Sequence, residues 1–254
     1  MKTMVITGAG AGIGLAASRR LAQLGWTLCL TDVDEASLEA LRTELGDRHS
    51  YQVMNVADAE AVAVVFAAFA ATHGGSFDGL LNNAGLLSMG AFTEFSLARH
   101  QLITRVNVEG VLNCTHLAHR YLSKGHNPTV INMCSASADY GVPELATYSA
   151  SKFWVKGFTE AINLEWEAQG IHVCDIAPGF VGTSMLDGAA GEIVDAVGVN
   201  LTSEDVADVI VAATEDRTRV HWVVDNAMSR LQRAIINKAP TSLHRRAIKQ
   251  RSGM

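Results

Sequence analysis

The sequence predicts an α/β fold: a doubly wound, mostly parallel sheet of seven strands with helices on both faces. Two observations carry this. Short apolar runs alternate with helix-length segments along most of the chain, and such β-α alternation implies parallel strands joined by helices that cover the sheet. Between the first apolar run and the first helix lies Gly8-Ala9-Gly10-Ala11-Gly12-Ile13-Gly14, a glycine-rich turn at the carboxyl end of a strand, where ligands of such sheets collect.

The elements follow in order. Met4 to Thr7, Thr27 to Thr31, Tyr51 to Met54, Gly79 to Leu81, Val130 to Met133, His172 to Ile176 and His221 to Val224 read as strands. Ile13 to Leu24, Glu35 to Leu45, Asp58 to Thr72, Arg99 to Leu122, Thr147 to Ala168 and Ser203 to Ala213 read as helices. Gly25 follows the first helix as a stop, and Ser203 stands ahead of Glu204 and Asp205 as a start. Past Asp225, Met228, Leu231 and Ile235 recur at helical intervals among Arg230, Arg233 and Lys238. Residues 226–254 therefore read as a basic, amphipathic helical extension, broken at Pro240.

With 254 residues, 48% hydrophobic and 18% charged, the chain has the composition of an ordinary globular protein. No linker or repeat divides it, so 1–254 is expected to be a single domain. Its apolar runs are too short to span a bilayer and its start lacks a signal-peptide pattern, so a cytoplasmic protein is expected. Cys29, Cys114, Cys134 and Cys174 are widely spaced with no C-x-x-C, the pattern of reduced core residues; no metal site is expected. Charge is uneven: residues 217–254 carry nine Lys or Arg against Asp225 alone, whereas the rest carries eleven against 25 acids. The tail could meet an anionic membrane surface weakly, or the acidic body of its own or a neighbouring subunit.

Tyr148 and Lys152 lie four residues apart in a helical stretch, so a phenol and an ammonium share one face. Bringing a tyrosine from about 10 to about 7 takes roughly 4 kcal/mol. A lysine about 5 Å away at an effective dielectric of about 20 supplies roughly 3 kcal/mol. The pair is a proton-transfer device short of one further cation. In the glycine loop, amide groups and the positive helix end can receive a pyrophosphate. Asp32 closes the next strand, where its carboxylate can accept from a ribose 2′-hydroxyl and would repel a 2′-phosphate. NAD is therefore expected over NADP.

Gly8, Gly12 and Gly14 in T-G-x-x-x-G-I-G spacing, Asn82-Asn83-Ala84-Gly85, Tyr148 to Lys152, and Pro178-Gly179-Phe180-Val181-Gly182-Thr183 occur in that order. With these motifs the chain resembles the short-chain dehydrogenase/reductases, in their compact branch of Rossmann-fold proteins, over roughly residues 2 to 225. The resemblance implies four catalytic positions, Asn107, Ser135, Tyr148 and Lys152. Ser135 would hydrogen-bond the substrate oxygen while Tyr148 moves the hydroxyl proton. Lys152 would also hold the nicotinamide ribose, Asn107 would position a water beside Lys152, and the nicotinamide would be the further cation. Ser137 is the nearby competitor of Ser135. Cofactor contacts are implied for Gly8, Gly12, Ile13, Gly14 and Asp32, for Asn82 and Ala84 beside the adenosine ribose, and for Ile176, Pro178, Gly179 and Thr183 around the nicotinamide. Asn55-Val56 occupies the adenine position, where the family usually shows Asp before an apolar residue; the asparagine carbonyl can still accept from the adenine amino group.

Substrate determinants are expected in the loop Ala136 to Thr147, containing Asp139, Tyr140, Val142, Pro143 and Leu145, and in Ser184 to Val199. Both are rich in small and apolar residues with few cations, which suits an apolar secondary alcohol or its ketone; Asp139 and Asp187 read as solvated carboxylates. The expectation is an NAD-dependent alcohol dehydrogenase or ketone reductase, homodimeric or homotetrameric, with no nucleic-acid partner. The rivals are an NADP-type ketoacyl reductase and a non-catalytic NAD-binding sensor that works by association. An enoyl reductase is disfavoured, because Val155 stands where its wider Tyr-to-Lys spacing needs lysine.

Overall fold

The computed structural model describes residues 2–183 and 201–224. Seven strands, β1 (Thr3–Thr7), β2 (Thr27–Asp32), β3 (Ser50–Val53), β4 (Gly79–Asn82), β5 (Thr129–Met133), β6 (His172–Pro178) and β7 (His221–Val224), form one sheet. Their order is β3-β2-β1-β4-β5-β6-β7, and every pairing is parallel. The helices are α1 (Gly12–Gln23), α2 (Glu35–Leu45), α3 (Ala59–Ala71), α4 (Leu97–Thr104), α5 (Gly110–Leu122), α6 (Ala146–Glu167) and α7 (Ser203–Glu215). Within the described residues the expected strands and helices are present, with one exception in continuity.

Strand alternation builds two cores. Met4 and Ile6 of β1, Leu81 of β4, Ile131 of β5 and Ile176 of β6 pack beneath α1 and α7, against Leu21, Val206 and Ile210. Val5, Leu80, Val130 and Val173 face the other side, against Phe66 and Phe69 of α3 and Cys114 and Leu122 of α5. Central strands are thus buried on both faces, as parallel sheets demand, while edge strands β3 and β7 are partly exposed. All four cysteines are free and buried.

Two expectations are corrected. The stretch from Arg99 to Leu122 is not one α-helix: a π-helical turn, Arg105–Glu109, separates α4 from α5. Tertiary contacts hold the turn, since Asn107 is fully buried there and a Cβ on Gly110 would lie 2.5 Å from Val56 Cγ2. The cap of α7 is Thr202, not Ser203: Thr202 Oγ1 accepts from Asp205 N at 3.1 Å, and Asp205 Oδ2 accepts from Thr202 N at 2.8 Å. A side chain outside the first turn reaches back to its free amides, which Ser203 inside the helix does not. Among the described residues no helix is long and apolar enough to cross a membrane. The expected loop Ser184 to Val199 with Asp187, and the extension 226–254 with Met228, Leu231 and Ile235, lie outside the described residues.

Candidate active site

The strand order reverses between β1 and β4, and the candidate residues gather at that carboxyl edge. Gly8 (φ 66°) and Gly12 (φ 50°) adopt left-handed conformations that cost a side-chain-bearing residue about 1–2 kcal/mol. A Cβ on Gly14 would fall 2.0 Å from the Gly8 carbonyl oxygen, so only glycine lets α1 start this close to the loop. Asn83 clamps the turn, donating through Nδ2 to Thr7 O (3.1 Å) and Gly8 O (2.8 Å). Thr7 Oγ1 in turn accepts from Asn83 N and Ala84 N.

Three features of this edge fit a dinucleotide. The first turn of α1 begins at Ala11 with no side-chain cap, leaving helix amides for an anion. Asp32 Oδ2 accepts from Gly10 N at 2.9 Å, which sets its carboxylate beside the loop. Thr183 reaches the same place from beyond β6: its Cγ2 would lie 3.1 Å from a Cβ on Gly12. Ile13 is partly buried against the core, and Ala84, Gly179 and Thr183 are half-buried.

Other implied contacts are narrower than expected. Asn82 turns its side chain inward, Nδ2 donating to Asn132 Oδ1 (2.8 Å) and Thr115 Oγ1 (3.0 Å), so its amide nitrogen is committed to the core. Ile176 is fully buried and its carbonyl accepts from Cys134 N; Pro178 closes β6 beside Val224. Val56 sinks into the core and its carbonyl accepts from Asn113. Asn55 is exposed, its Oδ1 accepting from Ala57 N at 3.0 Å.

On the other side of the switch point the four catalytic candidates meet. Lys152, 5% exposed, donates from Nζ to Met133 O at 2.7 Å, and its Nζ sits 5.5 Å from the Tyr148 ring centroid. Ser135 caps a short 3-10 turn, its Oγ accepting from Ser137 N. Asn107 accepts at Oδ1 from Leu86 N (2.8 Å) and donates from Nδ2 to Leu86 O (2.9 Å) and Ser151 Oγ (3.1 Å). A Cβ on Gly85 would lie 3.5 Å from Asn107 Oδ1 and 3.9 Å from Lys152 Nζ, so a bare glycine separates the two.

The electrostatics differ from the simple two-charge sum. Burial pushes the Tyr148 phenol up to about 12, with the Ser135 hydrogen bond acting downward. Burial likewise pushes the Lys152 ammonium down to about 8. Desolvation penalises both charged forms, and without a further cation it outweighs the attraction between them.

Several contacts that frame this site were not expected from the sequence. Asp139 is paired with Lys156 at 3.3 Å rather than simply solvated. His100 joins the loop after β4 to the start of α6, its Nε2 bonding Phe92 O (2.9 Å) and its Nδ1 Thr147 Oγ1 (2.8 Å). Glu144 has φ 65°, and its carbonyl accepts from Gly90 N at 3.1 Å. No periodicity signals these contacts, because they link residues that only tertiary folding brings together.

The geometry agrees with what comparison shows. The family model described as "short chain dehydrogenase" matches residues 2–193. A probable oxidoreductase, EphD, of Mycobacterium tuberculosis is 28% identical over 87% of this chain; the chain spans 41% of that relative's length. The structure of a 3-ketoacyl-(acyl-carrier-protein) reductase from Brucella melitensis complexed with NADH superposes with TM-score 0.81, at 26% identity, covering 89% of this chain and 97% of the other. The closed form of a serine dehydrogenase complexed with NADP+ gives TM-score 0.79 at 26% identity, covering 87% and 93%. A seven-stranded parallel sheet, a glycine cradle at its switch point and a family match over residues 2–193 together place the chain in the short-chain dehydrogenase/reductase family.

Proposed function

We propose that the chain is an NAD-dependent alcohol dehydrogenase or ketone reductase, moving a hydride between an apolar secondary carbinol carbon and the nicotinamide. The observation that carries this reading is the meeting of Ser135, Tyr148, Lys152 and Asn107 beside the glycine cradle. Gly8, Gly12, Ile13, Gly14, Asp32, Asn82, Ala84, Pro178, Gly179 and Thr183 would hold the cofactor, with Asn55 and Val56 near its adenine. A nicotinamide bound there would supply the hydride acceptor or donor and a positive charge. Ser135 Oγ orients the substrate oxygen. Tyr148 takes the hydroxyl proton during oxidation and returns it during reduction. Lys152 holds the nicotinamide ribose and favours the phenolate, and Asn107 keeps a water at the lysine.

NAD is favoured because Asp32 presents a carboxylate at the loop, which repels a 2′-phosphate. A second reading, a ketoacyl reductase, draws on the likeness to the Brucella protein; Asp32 counts against its NADP-using form. A homo-oligomer is part of the proposal, supported by exposed Leu112, Phe153 and Leu164 on α5 and α6.

The test is absorbance at the reduced-nicotinamide band against a panel of cyclic, aryl, sterol and long-chain secondary alcohols. Tyr148→Phe should lower the rate by about 10²–10⁴-fold. A rate that survives the substitution removes Tyr148 as the proton carrier.

A further inference from the structure

Among the described residues, five buried side-chain polar atoms have no hydrogen-bond partner: Asn82 Oδ1, Thr129 Oγ1, Ser137 Oγ, Glu144 Oε2 and Trp222 Nε1. Two of them, Ser137 Oγ and Glu144 Oε2, belong to the loop that joins Ser135 to Tyr148. Glu144 contributes the only carboxylate oxygen of the five. The same residue is one of two described non-glycine positions with positive φ. The other is Asn127, a residue type that tolerates the left-handed region; glutamate does not.

Glu144 thus costs the fold twice, through its backbone and through an unsatisfied buried oxygen. A glycine would relieve both. The backbone is held in place regardless, by Gly90 N donating to Glu144 O and by Val142 N donating to Ser149 Oγ at 3.2 Å. Among the described residues no hydrogen-bond partner accounts for Glu144 Oε2, and the residue stands four positions before Tyr148.

We infer that Glu144 determines specificity: it accepts a hydrogen bond from a second donor on the substrate, a hydroxyl or an ammonium, remote from the reacting carbinol. This deepens the alcohol dehydrogenase reading and rests on it. The carboxylate acts here as an acceptor, so the occupant supplies the proton. A carboxylate, sulfonate or phosphate in that place would meet like charge. The substrate class is then a mainly apolar secondary alcohol carrying one hydroxyl or amino group. Ser137 Oγ, 6% exposed as a residue, adds a second uncommitted polar group on the same loop.

The test uses NAD-loaded protein and four ring alcohols that differ at one position: cyclohexanol, 1,4-cyclohexanediol, 4-aminocyclohexanol and 4-hydroxycyclohexanecarboxylate. The wild type should favour the diol and the amino alcohol over cyclohexanol by about 10-fold or more in kcat/KM, and should discriminate against the carboxylate. Glu144→Gln should keep the preference for the diol but lose the ordering by charge. Glu144→Gly, which suits the backbone and so should fold, should bring the four rates together. Equal use of carboxylate and diol by the wild type, or an unchanged ranking in Glu144→Gly, overturns the inference. If no alcohol is oxidised, the reaction reading fails by itself. Ligand-induced rises in Tm of the NAD-loaded protein then still rank the four compounds, and a ranking that Glu144→Gly does not alter counts against Glu144.

Discussion

Replacing Lys152 by methionine should stabilise the fold while abolishing activity. The lysine lies in the interior with its Nζ on Met133 O, and burial takes its pKa from 10.5 to about 8. That drop corresponds to about 3 kcal/mol against the charged form at pH 7. Methionine matches the stem but cannot donate to Met133 O, which returns about 1 kcal/mol. The net expectation is about 2 kcal/mol of added stability, or about 4–8 °C in Tm for a chain of this size. The pH dependence has a definite sign. Unfolded lysine keeps its proton up to about 10.5, whereas the folded group keeps it only to about 8. Between those values the unfolded state binds more protons, so wild-type stability rises with pH and the advantage of the variant shrinks. Thermal unfolding of the cofactor-free protein at pH 7, 9 and 10.5 reads this directly. A variant less stable than wild type at pH 7, or a difference that stays flat with pH, refutes the burial argument.

Two further outcomes follow from named contacts. Asp32→Ser removes the carboxylate at Gly10 N and should shift the NAD-to-NADP ratio of kcat/KM by about 10-fold or more toward NADP; an unchanged ratio makes Asp32 only a turn residue. His221 bonds the buried Asp175 at 2.7 Å through Nδ1 and lies 3.1 Å from Glu160, and the hydrogen bond to Asp175 raises its pKa. The stability from that bond is complete below about 6.5 and is lost as pH rises through the folded value. His221→Leu should destabilise by about 1–2 kcal/mol near pH 6, the half-exposed ring being screened, and should flatten that stretch of the stability-pH curve measured by urea unfolding.

The strands were legible because β1, β4, β5 and β6 are buried on both faces and therefore read as short continuous apolar runs. Asp58 was legible at a helix boundary because its side chain does cap α3, accepting from Glu60 N and Ala61 N. Gly8, Gly12 and Gly14 were legible because only glycine meets their backbone demands. The π turn was not. Residues 105–109 carry ordinary helical spacing, and the hydrogen bonds that hold Asn107 come from Leu86 and Ser151, distant in sequence. Glu144 was hidden for a related reason. Val142, Pro143 and Leu145 invite an apolar reading of the loop, and nothing local reveals that the chain enters the left-handed region at the charged residue between them.

Burial acts on Tyr148 and Lys152 in opposite directions, and this bears on when the pair can work. A phenol pushed to about 12 beside an ammonium pushed to about 8 means that neither charge is comfortable in the protein alone. Attraction at about 5 Å and an effective dielectric of about 20 is worth roughly 3 kcal/mol, less than the roughly 7 kcal/mol needed to bring a group from about 12 to about 7. The Ser135 hydrogen bond already acts at about 12, so further hydrogen bonds to the phenolate and a second positive charge must supply the difference. On the proposed mechanism both are complete only with cofactor and substrate in place. Proton transfer is then tied to their presence: the phenol is held neutral until its proton has somewhere to go.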